Sequence, residues 1–298
     1  MTAALILAAG QTAGKDGSEP LKVGTISALQ RIVMVLQRSG IERIVVVCSE
    51  NQDKTKKLAA HMNLVFLQGG GSDLLDHVKT GLSYLQDKCS AVLLSRADVP
   101  LCSVTTIQTL MKAEGPVCVP VCHGKEGYPI LLSAEHFPAI LAVEGKGSLP
   151  NALREAGLRR VTVEVEDEGI LENVRTADTR WKLGDDLEEL RLDFRVRLIR
   201  EKAFYGPGTH QLLQLTEETG SLLEACRQMG ISYSKGRKII ATTEQQLRYP
   251  VIESRPGGRS GGGSSVTEGG KSLIQSYSEF YTEARQYLEE LFQKYFGP

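Results

Sequence analysis

Asp98 closes an apolar run in Ser95-Arg96-Ala97-Asp98-Val99-Pro100-Leu101. A carboxylate at a strand end, followed by proline, is suited to hold Mg²⁺ on a triphosphate. The alternative is a helix cap, because Ser103 and the threonines behind it begin the next helix. Near the start of the chain, Leu7-Ala8-Ala9-Gly10 runs into QTAGKDGSEPLKVG. There Gly10, Gly14 and Gly17 leave backbone N–H groups free to approach phosphate oxygens, and a plain surface loop is the competing reading. Residues 204–267 offer different chemistry. FYGPG, a short amphipathic segment, TGS, SYSKGRK and RPGGRSGGGSSVT follow in an order that reads as a helix-turn-helix with a glycine-rich wing. Such a device holds one helix in a DNA groove.

The elements that must position these groups are legible as strand-length apolar runs. They are ALILAA (3–8), RIVVVCS (43–49), LVFLQ (64–68), AVLLS (91–95), PVCVPVC (116–122), PILLS (129–133) and VTVEVED (161–167). Segments of helical spacing lie between several of them, such as ISALQRIVMVLQRSG, with Ile26, Leu29, Val33 and Leu36 on one face and Gly40 as terminator. Continuous apolar strands alternating with helices predict an α/β fold with a mostly parallel sheet covered on both faces. Ligands of such sheets bind at the carboxyl ends of the strands, which singles out the loops after 3–8 and after 91–95.

Beyond residue 188 the pattern changes, so two domains are expected, 1–188 and 189–298. LRLDFRVRL (190–198) alternates strictly and predicts a half-buried strand pairing with KAFY (202–205). Gly206-Pro207-Gly208 breaks the chain, and THQLLQLTEETG forms a first helix ending at Gly220. Ser221 with Glu224 three residues on is a capping box for a second helix closed by Gly230. ISYSKGRKIIATTEQQLRY gives a third helix, and Thr267 starts a long, unusually aromatic one to about Phe296. Between 227 and 260, Arg227, Lys235, Arg237, Lys238, Arg248, Arg255 and Arg259 stand against Glu244 and Glu253. Side chains of this kind supply phosphate contacts, while the start of the third helix reaches base edges. Ser232, Tyr233, Ser234, Lys235, Arg237, Lys238, Arg255 and Arg259 are the candidate DNA-binding residues. The competing reading packs Tyr233 in the core and leaves the arginines to solvate a face.

At 298 residues the chain is long enough for two ordinary cores, and a net charge of -1 excludes a generally basic coat but not a local one. The apolar runs are too short to span a bilayer and the start lacks a basic flank, which implies a cytoplasmic protein without membrane contact. Six scattered cysteines read as buried reduced thiols, since the CxxxC of PVCVPVC lacks a second ligand pair.

LAAG (7–10), PL (20–21), GTIS (24–27), ADVPL (97–101), GYPILL (127–132) and ADT (177–179), in this order and spacing, resemble the MobA-like nucleotidyltransferases, especially their molybdenum-cofactor cytidylyltransferase branch. The resemblance implies a Rossmann-like three-layer domain that binds CTP or GTP with Mg²⁺ and joins a nucleoside monophosphate to a phosphorylated pterin, releasing pyrophosphate. It places Asp98 and Asp178 at the metal, Leu7, Ala8, Ala9, Gly10 and Gly70 at the nucleotide, and Gly127-Tyr128-Pro129 at the acceptor pocket. The family loop carries an arginine where Gly14 stands and a lysine where Glu19 stands, because cations must neutralise charge that develops on the triphosphate. Lys15 and Lys22 are the candidates to replace them in catalysis. Thr176 stands in place of the first aspartate of the late motif. Weak or absent transfer is expected, with nucleotide or pterin binding retained.

GPG, TGSL, EAC, MGISYSK, GGRSGGGSS and VTEGG resemble the DNA-binding domain of the molybdate-responsive regulator ModE. That implies a winged-helix domain, dimeric, acting on duplex DNA at two-fold operators. Gly236-Arg237 replaces the Ala-Trp pair of that family. Three readings follow. The first is a regulator whose transferase-like domain senses a nucleotide or pterin. The second is an active cytidylyltransferase with an accessory DNA-binding domain, and the third is a structural partner in molybdoenzyme maturation.

Overall fold

The computed structural model describes residues 1–8, 21–23, 26–48, 62–70, 73–144, 147–175, 190, 192, 194–258 and 261–296. The chain divides into two compact units, Met1–Glu188 and Glu189–Pro298.

The first unit is built on strands β1 (Thr2–Leu7), β4 (Ile44–Cys48), β5 (Val65–Gln68), β6 (Ala91–Arg96), β7 (Val117–Cys122), β8 (Lys125–Glu126), β9 (Ile130–Ser133) and β10 (Arg160–Glu164). A separate two-residue pair joins β2 (Lys22–Val23) to β3 (Ile26–Ser27). The main sheet runs β10-β7-β9-β6-β1-β4-β5, with β8 beside β7. Pairs β1–β4, β1–β6, β4–β5 and β7–β10 are parallel, while β9 lies antiparallel to both β6 and β7. Every residue of β4 and β7 is buried. That is why these strands read as unbroken apolar runs: helices cover both faces.

The helices of this unit are α1 (Ala28–Arg38), α2 (Leu74–Leu85), α3 (Val104–Lys112), α4 (Phe137–Leu141) and α5 (Leu149–Glu155). Leu29, Ile32, Val33 and Leu36 of α1 meet Ala4, Ile6 and Val46 in one core cluster. Ile26, which the helical pattern included, belongs instead to β3. Ser27 is what stops the helix there: it accepts from Gln30 N–H while Gln30 reaches back to the Ser27 N–H, a complete capping box. On the other face α2 approaches so closely that a Cβ on Gly81 would lie 2.3 Å from Leu5 Cδ1.

In the second unit a short β11 (Leu198–Ile199) pairs with β12 (Ala203–Tyr205), followed by α6 (Pro207–Thr219), α7 (Leu222–Gln228), α8 (Tyr233–Leu247), the hairpin β13 (Ile252–Gly258) and β14 (Gly261–Val266), and α9 (Glu268–Phe296). Left-handed Gly220 ends α6, and Gly230, with φ +65°, follows α7. Of the described residues in the strand expected over 190–198, Leu198 alone lies in a strand. The alternation survives as half-burial of Leu192, Phe194, Val196 and Leu198, but the partner is a helix: Phe194 stacks on Tyr281 at 5.0 Å, and Tyr277 Oη donates to the Val196 carbonyl at 2.9 Å. Leu190 is 70% exposed. The capping box expected at Ser221 is half made, since Ser221 accepts from Glu224 N–H while the Glu224 carboxylate faces Gln228 and Arg227.

All six cysteines are free, Cys89 half-buried and the rest buried. Among the described residues, no helix is long and apolar enough to cross a membrane.

Candidate functional site

In the main sheet the chain runs outward from β1 through β4 to β5, then returns to add β6 on the opposite flank of β1. The order therefore reverses between β1 and β6, and the crevice outside their carboxyl ends is where an open α/β sheet receives a ligand. Leu7 and Arg96 are register partners there, and Ala97 N–H donates to the Leu7 carbonyl at 3.0 Å. Asp98 lies in the turn that follows and is 1% exposed.

Its carboxylate accepts three N–H donors from its own chain. Arg96 Nε donates to Oδ1 at 3.0 Å and Nη2 to Oδ2 at 2.9 Å, the bidentate fork that makes the strongest pairs. Asn173 Nδ2 donates to Oδ2 at 3.1 Å, and Val174 N–H donates to the Asp98 carbonyl at 2.9 Å. Asn173 arrives on a strap, residues 167–174, that is tightly seated. Asp167 accepts from Ser103 N–H at 2.8 Å and from Thr106 Oγ1 at 2.5 Å. A Cβ on Gly169 would meet the Leu101 carbonyl at 2.2 Å, and one on Gly127 the Ile170 carbonyl at 2.5 Å. The Tyr128 ring lies beneath Arg96, 5.6 Å from the guanidinium carbon, and burial raises its phenol pKa. The hydrogen bond to Asp98 raises the pKa of Arg96. Ser103, not Asp98, caps α3.

The other residues singled out around this crevice are dispersed. Leu7 and Ala8 are buried, and the Ala8 N–H is spent on the Val47 carbonyl at 2.9 Å. Gly70 is exposed just past β5, with open space where a Cβ would stand. Lys22 is exposed on β2, in register with Ser27. Ala9, Gly10, Lys15 and Asp178 lie outside the described residues. Arg96 and Asn173 were missed by the sequence reading. Arg96 had a local signal, since positions i and i+2 at a strand end point the same way. Asn173, 75 residues from Asp98 in the chain, had none.

In the second unit the start of α8 is laid open. Ser232 caps the helix through a 3.3 Å bond from Lys235 N–H, and its hydroxyl lies 3.1 Å from that of Ser234. Ser232, Tyr233, Ser234, Lys235, Arg237 and Lys238 are all exposed. Tyr233, at 43% exposure, is not in the core. Between them Gly236 is buried, and a Cβ there would fall 2.2 Å from Cys226 Sγ. The glycine lets α8 cross α7 at this distance. Arg255 lies in β13 opposite Gly263, and Arg259 lies outside the described residues. The hairpin is tied down by Ser264 N–H to the Gly220 carbonyl at 2.8 Å. Glu244 Oε1 accepts from Val251 N–H at 2.9 Å and Ile252 N–H at 3.2 Å. One of the two carboxylates in the basic stretch is thus consumed in holding the hairpin. Behind it, His210 Nδ1 lies 3.0 Å from Tyr205 Oη and its Nε2 lies 3.1 Å from Ser278 Oγ. Burial lowers the His210 pKa to about 4.

The first unit is thus an open α/β sheet with a ligand crevice at its switch point, and the second carries four described helices with a hairpin between the third and the fourth. Residues 4–178, more than half of the chain, match the family described as the MobA-like NTP transferase domain, and the chain belongs to that family. The second unit has separate relatives. The chain is 35% identical over 101 residues to the molybdenum-pterin-binding protein MopB of Rhodobacter capsulatus, covering 34% of this chain and 36% of that protein. It is 32% identical over 79 residues to the DNA-binding transcriptional dual regulator ModE of Escherichia coli K12, covering 26% of this chain and 30% of that protein. The chain thus spans about a third of the length of these relatives. Among solved structures, a nucleotidyl transferase from Methanothermobacter aligns over 58% of this chain and 91% of its own, at 18% identity and a TM-score of 0.49.

Nucleotidyltransferases of this family generally use a nucleotide and a divalent metal. Asp98 does not fit that metal here. Its two oxygens already take three N–H donors, and among the described residues no group of three or more His, Cys, Asp or Glu is placed to hold an ion.

Proposed function

We propose that this protein is a cytoplasmic DNA-binding transcriptional regulator linked to molybdenum or molybdopterin metabolism, whose nucleotidyltransferase-like unit senses a nucleotide or pterin ligand. The observation that carries the reading is the start of α8: a capped helix presents Tyr233, Lys235, Arg237 and Lys238 to solvent. Lys235, Lys238, Arg255 and Arg259 would neutralise phosphates, while Ser232, Tyr233, Ser234 and Arg237 would reach base edges. The molybdenum link rests on what MopB and ModE are named for. The partner is duplex DNA, met by a homodimer that matches a two-fold site.

Sensing requires the ligand to bind more tightly to one of two states that differ in DNA affinity. The alternative, a cytidylyltransferase using CTP or GTP with Mg²⁺, is opposed by the Arg96–Asp98 pair and by Gly14 and Glu19 where the family carries cations. Fluorescence anisotropy of a labelled mixed-sequence duplex with the full chain tests the main reading. Binding at low salt is expected, with log affinity falling linearly against log salt. Absence of duplex binding at low salt, together with pyrophosphate release from CTP and a pterin acceptor, would sink it.

A further inference from the structure

We propose that Arg96 takes the place of the divalent cation at Asp98, so that this carboxylate is closed to a metal by a side chain of its own chain. A Mg²⁺ or Mn²⁺ site requires carboxylate oxygens with free lone pairs and room for coordinated water. Asp98 offers little of either: it is 1% exposed, and Arg96 and Asn173 take three of the roughly four acceptor sites of its carboxylate. A guanidinium is permanently charged, planar and weakly hydrated, which makes it the cation best suited to a buried carboxylate.

The arrangement is held from several sides. Arg96 ends a strand in register with β1, the backbone past it is bonded to Leu7, and Tyr128 supports its guanidinium. Asp98 is held through its own carbonyl by Val174, on a strap that Asp167 fastens to the start of α3. An incoming metal would have to expel Arg96 and then share the crevice with its charge. The pair is neutral, so a ligand entering there meets no net positive charge from it.

Mn²⁺ titrated into the full-length protein, with free ion read by electron paramagnetic resonance and thermal melts run in parallel, tests this. Wild type and Asp98→Asn are expected to bind Mn²⁺ alike. Arg96→Ala is expected to gain a site tighter by about tenfold or more, with a Mn²⁺-dependent rise in Tm. Adding Asp98→Asn to that variant removes both. Loss of Mn²⁺ binding in Asp98→Asn alone overturns the inference, as does a folded Arg96→Ala that gains no site. Should Arg96→Ala not fold, Arg96→Gln replaces it, keeping an amide donor near Asp98 without the charge. Should neither fold, wild type against Asp98→Asn decides by the same criterion. The test involves no DNA, so its outcome is separate from that of the regulatory reading.

Discussion

The crevice around Asp98 and the start of α8 both carry strongly ionic side chains, and they treat them in opposite ways. In the crevice Arg96 and Asp98 satisfy one another, with Asn173 taking up part of what remains. On α8, Lys235, Arg237 and Lys238 face solvent, and the nearby carboxylate Glu244 is turned away to bond the backbone at Val251 and Ile252. What a charged residue is available for depends on its pairing more than on its type. A neutralised pair is a structural element, and an unopposed cluster is a surface for a polyanion.

The largest effect is expected at Arg96. Arg96→Ala strands a buried carboxylate, so the first unit is expected to lose about 3 kcal/mol in denaturant unfolding, while Asp98→Asn, which leaves an amide of the same shape, costs less. Equal, small losses would mean that the pair is not what holds this crevice. A second contrast is titratable. His210 has a folded pKa of about 4 against an ordinary 6.5. Below pH 6.5 the unfolded chain takes up a proton that the folded one refuses, so stability of the second unit falls as pH drops toward about 4 and is fully present above 6.5. His210→Gln should flatten that slope in chemical denaturation, whereas an unchanged slope would assign it to other groups.

Gly236 probes how α8 is mounted. Gly236→Ala gains helix propensity but drives a methyl toward Cys226 Sγ, so a net loss of about 1 kcal/mol is expected. Cys226→Ala in the same chain should recover it, giving a coupling of at least about 0.5 kcal/mol in a double-mutant cycle. Smallest in effect, Lys235→Ala and Lys238→Ala should each lower the salt slope of duplex binding by about 1 while leaving the fold intact. If both variants bind like wild type, the open cluster is ordinary solvated surface.

The sequence showed much of this architecture because burial on both faces writes continuous apolar runs, as in IVVVC and VCVPVC, and because Gly220, Gly230, Ser232 and Thr267 punctuate helices by local rules. Where a partner was distant, the pattern misled or fell silent. The alternation of 190–198 is real, but it records contact with α9 rather than a neighbouring strand. The motif around Asp98 suggested a metal ligand because its residue types match. The Arg96 fork and the Asn173 amide that occupy that carboxylate become visible only when β6 and the 167–174 strap are placed together.

The long α9 is clamped near its start, where Tyr277 sits 5.0 Å from Tyr205 and Tyr281 lies on Phe194. Past those rings, Tyr287, Tyr295 and Phe296 are each more than 60% exposed. About 22 Å of rod extends beyond the clamp, at 1.5 Å per residue. Mechanically it is a pointer on a pivot: each degree of tilt at the aromatic clamp swings its tip by about 0.4 Å. A repacking around Tyr205 too slight to see in β12 itself would be plain at the far end of that rod.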